Sequence, residues 1–489
     1  MSANKMKKLL ALLLVLAIMI SMGACVPEDE VAEAPETEPA SEEIQDQDLV
    51  PPQIDVSGLP YKETDNPIFR GKMMKYDSIT PDSSEKSVVF RPQDTIFKYA
   101  AWPSVCSDEN GTLYAVSAWG STHVCPFTKV CMYISKDGGK TWSPPIVVQD
   151  SYIGDGHGGI NYLGNGKMIL SWAYHPGDVM LNELYGRVTG TMWGGTPTSE
   201  DNLRAAMLET YWDIPPEKLV GGSFVKISED YGMTWSEPIR LPVASPHGFT
   251  QCADGTLLYL GKEYYASTQG TFDFFESGEL ERIEADSWAE YVNNLNASRA
   301  GAECSDTPIY AYASTDGGYT WEKRGLCDKP DELDWVDTAE PHVVALDDGT
   351  LLGAIRVESE AAYENQMAVY TTRSTDGGVT WSEWECTHIN GGPPQLMQHS
   401  SGAVLLSVGR RTRIMGEYVL VSWDNGLTWT EEYLIDKSPS SDMGYPCTTE
   451  LPDGDLVTVY YQPYENPDTG EVDSTPSIQS VHWKLNTEE

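Results

Sequence analysis

Glu340 and Tyr445 are the two residues of this sequence whose pairing would support the most chemistry. A carboxylate beside a phenol can accept the phenolic proton, which turns the oxygen into a nucleophile. A neutral tyrosine suits attack on a carbon that already bears a negative carboxylate, because an aspartate nucleophile would be repelled there. The pair therefore predicts covalent chemistry at a carbon that bears a carboxylate, provided that the fold brings the two residues together.

Arginines and histidines at related positions extend this candidate site. Two guanidinium groups can bind a planar carboxylate through paired hydrogen bonds, which is useful in a chain whose formal net charge is −42. The predicted catalytic residues are Tyr445, Glu340, His157 and His123, and the predicted substrate-binding residues are Arg356, Arg410, Arg411, Trp102, His247, His342 and Tyr461. No metal-ligand spacing, P-loop, dinucleotide fingerprint or nucleophile elbow occurs, so we expect neither a metal nor a cofactor.

Two repeated turns indicate the scaffold that must position these residues. The motif Ser-x-Asp-x-Gly-x-Thr-Trp occurs five times, at Ser135–Trp142, Ser228–Trp235, Ser314–Trp321, Ser374–Trp381 and Ser422–Trp429. A second turn recurs at Gly111, Gly166, Gly255, Gly349, Gly402 and Gly454, and the five tryptophan motifs fall between these six glycines. Each unit reads as four strands, so we predict an all-β, six-bladed β-propeller. The strand near Ser87–Arg91 should close the ring.

The spacing from the six glycines also predicts which residues lie at the site. Nine residues before each glycine stand Trp102, His157, Pro246, Glu340, Pro393 and Tyr445, at the start of each innermost strand. The end of the second strand, at the same face, carries Arg356, Arg410 with Arg411, and Tyr461. The candidate residues should therefore converge on one mouth of the central channel. The aspartates of the repeated turns are interpreted as structural.

Two insertions leave from the face that carries the candidate site. They run from Pro176 to about Val220 and from Glu263 to about Asp306, and Ser277–Asn296 within the second has helical spacing of apolar residues. We expect them to form a wall or lid on that face.

The first 25 residues have the pattern of an export signal. Lys5, Lys7 and Lys8 precede an apolar stretch of 12 residues that ends before Gly23-Ala24-Cys25, which resembles a bacterial lipobox. An ordinary cleaved signal peptide is the alternative. Residues 26–53 hold ten acidic and no basic residues and are predicted to be a disordered tether, followed by the propeller at 54–489. We expect an extracytoplasmic monomer that is lipid-anchored to the bacterial membrane, or secreted.

The net charge and the cysteine count bear on which partners the protein can bind and on whether it can form disulfides. The strong negative charge opposes binding to nucleic acid. Eight cysteines follow Cys25, an even number that would permit disulfides outside the cytosol, although their pairing cannot be deduced and several suit plain burial.

The motifs quoted above resemble the bacterial sialidase (neuraminidase) superfamily with its Asp-box, or BNR, repeats. The resemblance covers about Ser87 to Leu485 and implies Glu340 as general base, Tyr445 as nucleophile, and Arg356 with Arg410 or Arg411 as carboxylate ligands. Two features depart from the family. Ala101 stands where its first carboxylate-binding arginine is expected, with Arg91 ten residues too early, and no obvious acid/base aspartate lies between Pro103 and Ser135.

Three functions remain open from the sequence. The leading hypothesis is an exo-acting glycoside hydrolase of sialidase type that removes a terminal acidic sugar, with His157 or His123 as acid/base. A polysaccharide lyase acting on a uronate would use the same cluster to neutralise a carboxylate and remove a proton. A non-catalytic glycan-binding surface protein is the third, because fold alone does not determine function.

Overall fold

The computed structural model describes residues 59–174, 222–263 and 308–487, apart from positions 94, 95, 124, 126, 153, 359–362 and 364. The predicted signal peptide with Cys25, the tether, both insertions and Cys304 lie outside these residues. No helix within the described ranges is both long and apolar enough to span a bilayer.

Twenty-seven strands make up the described fold. The strands before the first blade are β1 (Tyr61–Glu63), β2 (Lys72–Met74) and β3 (Ser84–Phe90). Blade 1 contains β4 (Tyr99–Ser107), β5 (Leu113–Gly120), β6 (Lys129–Ser135) and β7 (Ile146–Gln149). Blade 2 contains β8 (Gly156–Gly164), β9 (Lys167–Tyr174), β10 (Gly222–Ser228) and β11 (Ile239–Leu241). Blade 3 contains β12 (Val243–Ala244), β13 (Thr250–Gln251), β14 (Leu257–Glu263), β15 (Ile309–Ser314) and β16 (Glu322–Cys327).

The remaining blades repeat this pattern. Blade 4 contains β17 (Asp337–Ala345), β18 (Leu351–Glu358), β19 (Met367–Ser374) and β20 (Glu385–Asn390). Blade 5 contains β21 (Gln395–Gln398), β22 (Val404–Arg410), β23 (Gly416–Ser422) and β24 (Glu431–Lys437). Blade 6 contains β25 (Gly444–Glu450), β26 (Leu456–Glu465) and β27 (Val472–Trp483). Short 3₁₀ turns cover Pro67–Phe69 and Asp331–Leu333.

The prediction of six four-stranded antiparallel blades is confirmed, and so is the closing strand. Blade 6 has the strand order β25-β26-β27-β3, with Ile478 paired to Phe90 and Ser480 to Ser87. Blade 3 differs because its innermost strand is split into β12 and β13, both of which pair with β14. Pairing β3 with the last strand fastens the two ends of the propeller to each other.

The Asp-turns are closed by their own side chains. In the first copy, Asp137 accepts from the Thr141 backbone N–H at 3.0 Å and from the Thr141 hydroxyl at 2.6 Å, while the Ser135 hydroxyl accepts from Gly139 N–H at 2.9 Å. Hydrogen bonds from Thr141 hold the pKa of Asp137 down at about 2. The same bonds recur in the fourth copy, where Thr380 donates to Asp376. These carboxylates therefore stabilise hairpins at the face away from the candidate site.

The inner strands surround a central channel. A cavity of about 310 Å³ lies along them, and its lining includes His247, His342, Asn161, Gln395 and Thr448. Apolar clusters fill the space between neighbouring blades. The seven described cysteines carry no disulfide, and five of them are buried.

Candidate functional site

A bulge near the start of the inner strand aims one side chain of each of several blades. The register shifts between Ala101 and Ser104, Gly156 and Gly159, Ala339 and His342, and Gly444 and Cys447. The bulged residues have left-handed φ values: 54° at Trp102, 53° at His157, 49° at Glu340 and 55° at Tyr445. An extra residue in one strand bends it and re-aims its side chain. The spacing of nine residues before each glycine thus marks a backbone bulge that recurs in several blades.

Blade 3 uses the same device one residue later. His247 has a φ of 70° and lies between the two halves of the split inner strand. A left-handed conformation costs a non-glycine residue about 1–3 kcal/mol and persists only where the surroundings impose it. Four such residues at equivalent positions of four blades, with a fifth one residue later in blade 3, form an ordered set of strained positions, which is typical of functional sites.

Glu340 and Tyr445 meet across the channel mouth. The Tyr445 hydroxyl donates a hydrogen bond to Glu340 Oε1, and Arg356 Nη1 donates to Glu340 Oε2. The second terminal nitrogen of Arg356 donates to Glu358. The side chains of Arg356 and Glu340 are 14% and 15% exposed, so the phenol, carboxylate and guanidinium form one largely buried group.

Burial raises the pKa of Tyr445, and the nearby Arg356 and Arg411 oppose that rise. The phenol therefore keeps its proton at neutral pH and already shares it with Glu340. Glu340 is placed to accept that proton when the phenolic oxygen forms a bond, and the two arginines would stabilise the negative charge that develops. The arrangement suits nucleophilic attack by Tyr445 with Glu340 as base.

Arg411 also lies at the site, and its terminal nitrogens are not hydrogen-bonded to a carboxylate side chain among the described residues. Its Nε donates to the Met443 carbonyl at 3.3 Å, and no described residue accepts a hydrogen bond from its terminal nitrogens. Burial lowers its pKa, but Tyr461, Tyr445 and nearby Asp442 outweigh that effect and leave the pKa above its ordinary value. Arg411 is thus a permanent cation able to receive an anionic ligand.

The structure places Arg410 elsewhere. Its terminal nitrogens donate to Glu432, which is 1% exposed, its Nε donates to the Asn390 carbonyl at 3.0 Å, and its guanidinium lies 4.0 Å from the centre of the Tyr418 ring. None of these contacts belongs to the cluster around Tyr445. Arg410 therefore stabilises blade 5 and its contact with blade 4, and of the two neighbouring arginines only Arg411 joins the site.

Aromatic side chains line the mouth on the side of blades 1, 2 and 6. Trp102 and His157 stack with ring centroids 4.7 Å apart, and His157 lies 5.9 Å from the Tyr445 ring. Tyr461 is 6.0 Å from Tyr445, and His123 contacts Trp102 edge-on at 5.0 Å. This wall brings the remaining predicted residues of blades 1, 2 and 6 into one cluster.

Ala101 does not face the mouth. It is fully buried, and the bulge at Trp102 gives that tryptophan the position that Glu340 and Tyr445 hold in their own blades. Arg91 does not replace the missing arginine, because it binds Asp473 at 3.2 Å on the outer strands of blade 6. At the bulge of blade 1 the side chain that faces the mouth is therefore an indole, and neither Ala101 nor Arg91 supplies a guanidinium there.

His247 and His342 form the floor between the mouth and the central cavity. His342 accepts from the Leu396 backbone N–H at 3.1 Å, and burial lowers its pKa to about 3. Burial, with smaller effects of His342 and His157, lowers the pKa of His247 well below its usual range. Both ring nitrogens of His247 are without a hydrogen-bond partner among the described residues. Both imidazoles are therefore neutral, and His247, 6.0 Å from the Tyr445 ring, faces the site and the cavity.

Three residues of the site were missed by sequence reasoning. Glu358 binds Arg356 from two positions along the same strand, so strand alternation could have found it. Asp442 accepts from the Tyr99 hydroxyl at 2.9 Å and from the Tyr461 hydroxyl at 3.2 Å. Neither Asp442 nor Tyr99 carries a sequence signal, because their contact joins blade 6 to blade 1. Within the described ranges, no group of three or more potential metal-ligating side chains is placed to hold a metal ion.

Comparisons with known proteins agree with this architecture. Residues 217–459 match the family described as BNR repeat-like domain, and residues 133–144 match the BNR/Asp-box repeat. No curated protein sequence matches the chain significantly. A protein of unknown function from Dyadobacter fermentans has a similar structure, with a TM-score of 0.57, 19% identity, and coverage of 84% of this chain and all of its own.

Two sialidases are also similar in structure. The NanB sialidase from Streptococcus pneumoniae has a TM-score of 0.52 and 14% identity, over 82% of this chain and 70% of its own. The intramolecular trans-sialidase from Ruminococcus gnavus, in complex with oseltamivir carboxylate, has a TM-score of 0.52 and 15% identity, over 84% of this chain and 99% of its own. At these identities the likeness establishes the propeller fold.

Proposed function

Because the chain is a sialidase-like member of the BNR-repeat superfamily, we propose that it is an exo-acting glycoside hydrolase that removes a terminal acidic sugar, sialic acid or a relative, from glycans. The observation that carries the proposal is the hydrogen bond from Tyr445 to Glu340, held in place by Arg356. Two left-handed bulges from different blades are needed to make that contact.

Tyr445 acts as the nucleophile of the proposed reaction. Its oxygen bonds to the anomeric carbon, its proton passes to Glu340, and the bond from that carbon to the leaving oxygen breaks as the leaving oxygen takes a proton from an acid of the site. Water then attacks the same carbon and gives a proton to the residue that acted as the acid, the tyrosyl bond breaks, and Glu340 returns its proton to the phenolate. Two displacements at one carbon retain its configuration.

Arg411 binds the substrate carboxylate in this proposal. Its terminal nitrogens can offer the paired hydrogen bonds that a carboxylate accepts. Arg356 already donates to Glu340 and Glu358, so its charge is largely compensated in the absence of a ligand. Because only Arg411 has terminal nitrogens that donate to no described residue at this site, the site favours a sugar with a single carboxylate over a polyanionic chain.

The cellular setting remains a proposal as well. We infer from the first 25 residues and the acidic stretch that follows that the protein is exported, anchored through Cys25 and carried away from the membrane by the tether. Labelling with a fatty acid in a bacterial host, with Cys25→Ala as control, tests this. Label on the wild type alone is expected, and equal label on both proteins would contradict anchoring at Cys25.

A release assay tests the enzymatic proposal. The protein is incubated with sialyllactose and with a nitrophenyl sialoside, and free sialic acid is measured by chromatography. Tyr445→Phe should lower turnover at least about a hundredfold, because it removes the attacking oxygen. Tyr162→Phe is the matched control, since that hydroxyl contacts Glu109 at the opposite face.

Other outcomes would replace the proposal with one of its rivals. Binding of these glycans without release by the wild type would indicate a non-catalytic glycan-binding protein. An unsaturated, ultraviolet-absorbing product from uronic-acid glycans would indicate a lyase. Undiminished release of sialic acid by Tyr445→Phe would exclude Tyr445 as the nucleophile.

A further inference from the structure

His123 lies at the mouth with a buried hydrogen-bond chain behind it. The residue follows the end of β5 and its side chain is exposed, whereas Tyr99 behind it is 8% exposed. The Tyr99 hydroxyl lies 2.9 Å from His123 Nδ1 and 2.9 Å from Asp442 Oδ1. Tyr461 donates to the same carboxylate oxygen at 3.2 Å. The chain runs from a carboxylate through a phenol to an imidazole.

The positions of the protons along this chain follow from donor and acceptor counts. A tyrosine hydroxyl has one proton, and the Tyr99 hydroxyl donates it to Asp442, as the Tyr461 hydroxyl also does. The Tyr99 oxygen can then only accept from His123, which requires a proton on Nδ1. Proton transfer between His123 and a substrate would therefore take place at Nε2.

We propose that His123 is the general acid and base of this site, and that Tyr99 and Asp442 are positioning residues that fix its tautomer and its orientation. The inference rests on the proposed glycosidase function, because it assigns the proton donor that this reaction needs. In the first step Nε2 gives its proton to the leaving oxygen as the glycosidic bond breaks. In the second step neutral Nε2 takes a proton from the attacking water.

The rival within the site is His157. Its Nδ1 lies 3.8 Å from Glu340 Oε1, the same oxygen that accepts the Tyr445 proton, and its ring is stacked on Trp102. A protonated His157 would thus be drawn to the base of the nucleophile, on the side of the reacting carbon where Tyr445 attacks. His123 is instead backed by its own chain through Tyr99 to Asp442, which does not include Glu340, and this difference favours His123 as the donor to the leaving oxygen.

Dependence on the leaving group separates these roles. A nitrophenolate leaves readily without a proton, whereas the lactose hydroxyl of sialyllactose needs one. His123→Ala should lower the turnover of sialyllactose at least about a hundredfold and that of nitrophenyl sialoside less than about tenfold. Tyr99→Phe and Asp442→Asn should show the same preference with smaller losses, because they leave the imidazole in place.

Each alternative outcome has a definite meaning. Equal losses on both substrates for His123→Ala would overturn the inference, and so would the same leaving-group preference in His157→Ala with none in His123→Ala. A buried variant such as Tyr99→Phe that fails to fold leaves the exposed His123→Ala to decide. If the wild type cleaves neither substrate, the proposed function itself fails, whereas cleavage of both without the predicted preference overturns only the role of His123.

Discussion

Acid should destabilise this propeller through His342, and replacement of that histidine should weaken the effect. The side chain is 5% exposed, and burial lowers its pKa from 6.5 to about 3. The folded protein therefore keeps His342 neutral at pH values where the unfolded chain protonates it. Stability that is present above about pH 6.5 is lost as the pH falls from there towards 3.

The size of the effect follows from these two pKa values. Between pH 7 and pH 5 the unfolded state takes up most of a proton at this residue, while the folded state takes up almost none. The corresponding loss in the free energy of unfolding is about 2 kcal/mol. This is a sizeable part of the stability of a typical domain, about 5–15 kcal/mol.

Urea unfolding at pH 7 and pH 5 measures this loss. The variant His342→Gln keeps an acceptor for the Leu396 N–H and does not titrate. Asp155 acts in the opposite direction, because burial raises its pKa to about 6, but it is present in both proteins and cancels from their difference. The wild type should lose about 2 kcal/mol more than the variant over this interval. Equal losses in the two proteins would refute the assignment of a buried neutral His342.

Three further predictions concern the arginines, the turns and the missing arginine. Arg410→Met should lower the free energy of unfolding by about 3–5 kcal/mol, because it leaves the buried Glu432 carboxylate without its cation. Arg411→Met should unfold at a urea concentration similar to that of the wild type. Its KM for sialosides should rise at least about tenfold. Asp376→Ala should lower the free energy of unfolding by about 1–2 kcal/mol without changing turnover, as measured by urea unfolding and sialoside release. Ala101→Arg should lower the melting temperature and should not increase sialoside release, because position 101 is fully buried and would hold an unpaired charge.

The architecture could be predicted from the sequence because each blade is built from neighbouring segments of chain. Glycine turns and Asp-turns depend on local hydrogen bonds, such as those of Asp137, so their spacing transfers directly to strands. Counting back nine residues identified Glu340 and Tyr445 because the inner strands of blades 1, 2, 4 and 6 contain the same bulge. In blade 3 the split inner strand moved the aimed residue from Pro246 to His247.

Other parts of the site were beyond sequence reasoning for physical reasons. Arg410 and Arg411 stand where strand β22 ends, and only the packing of blade 5 decides which of them turns towards Tyr445. The contact between Tyr99 and Asp442 joins residues 343 positions apart. Such pairs depend on how the first and last blades meet, which no local pattern records.

Trapping of the covalent intermediate tests the role of Tyr445 most directly. A sialosyl fluoride with a second fluorine beside the anomeric carbon slows the departure of the sugar from the enzyme, because fluorine destabilises the positive charge of the transition state. After reaction and digestion with trypsin, mass spectrometry should find the added sugar on Tyr445 in the peptide Ser438–Lys484, and Tyr445→Phe should carry none. Label on another residue, or turnover of ordinary sialosides at an undiminished rate by Tyr445→Phe, would contradict the account.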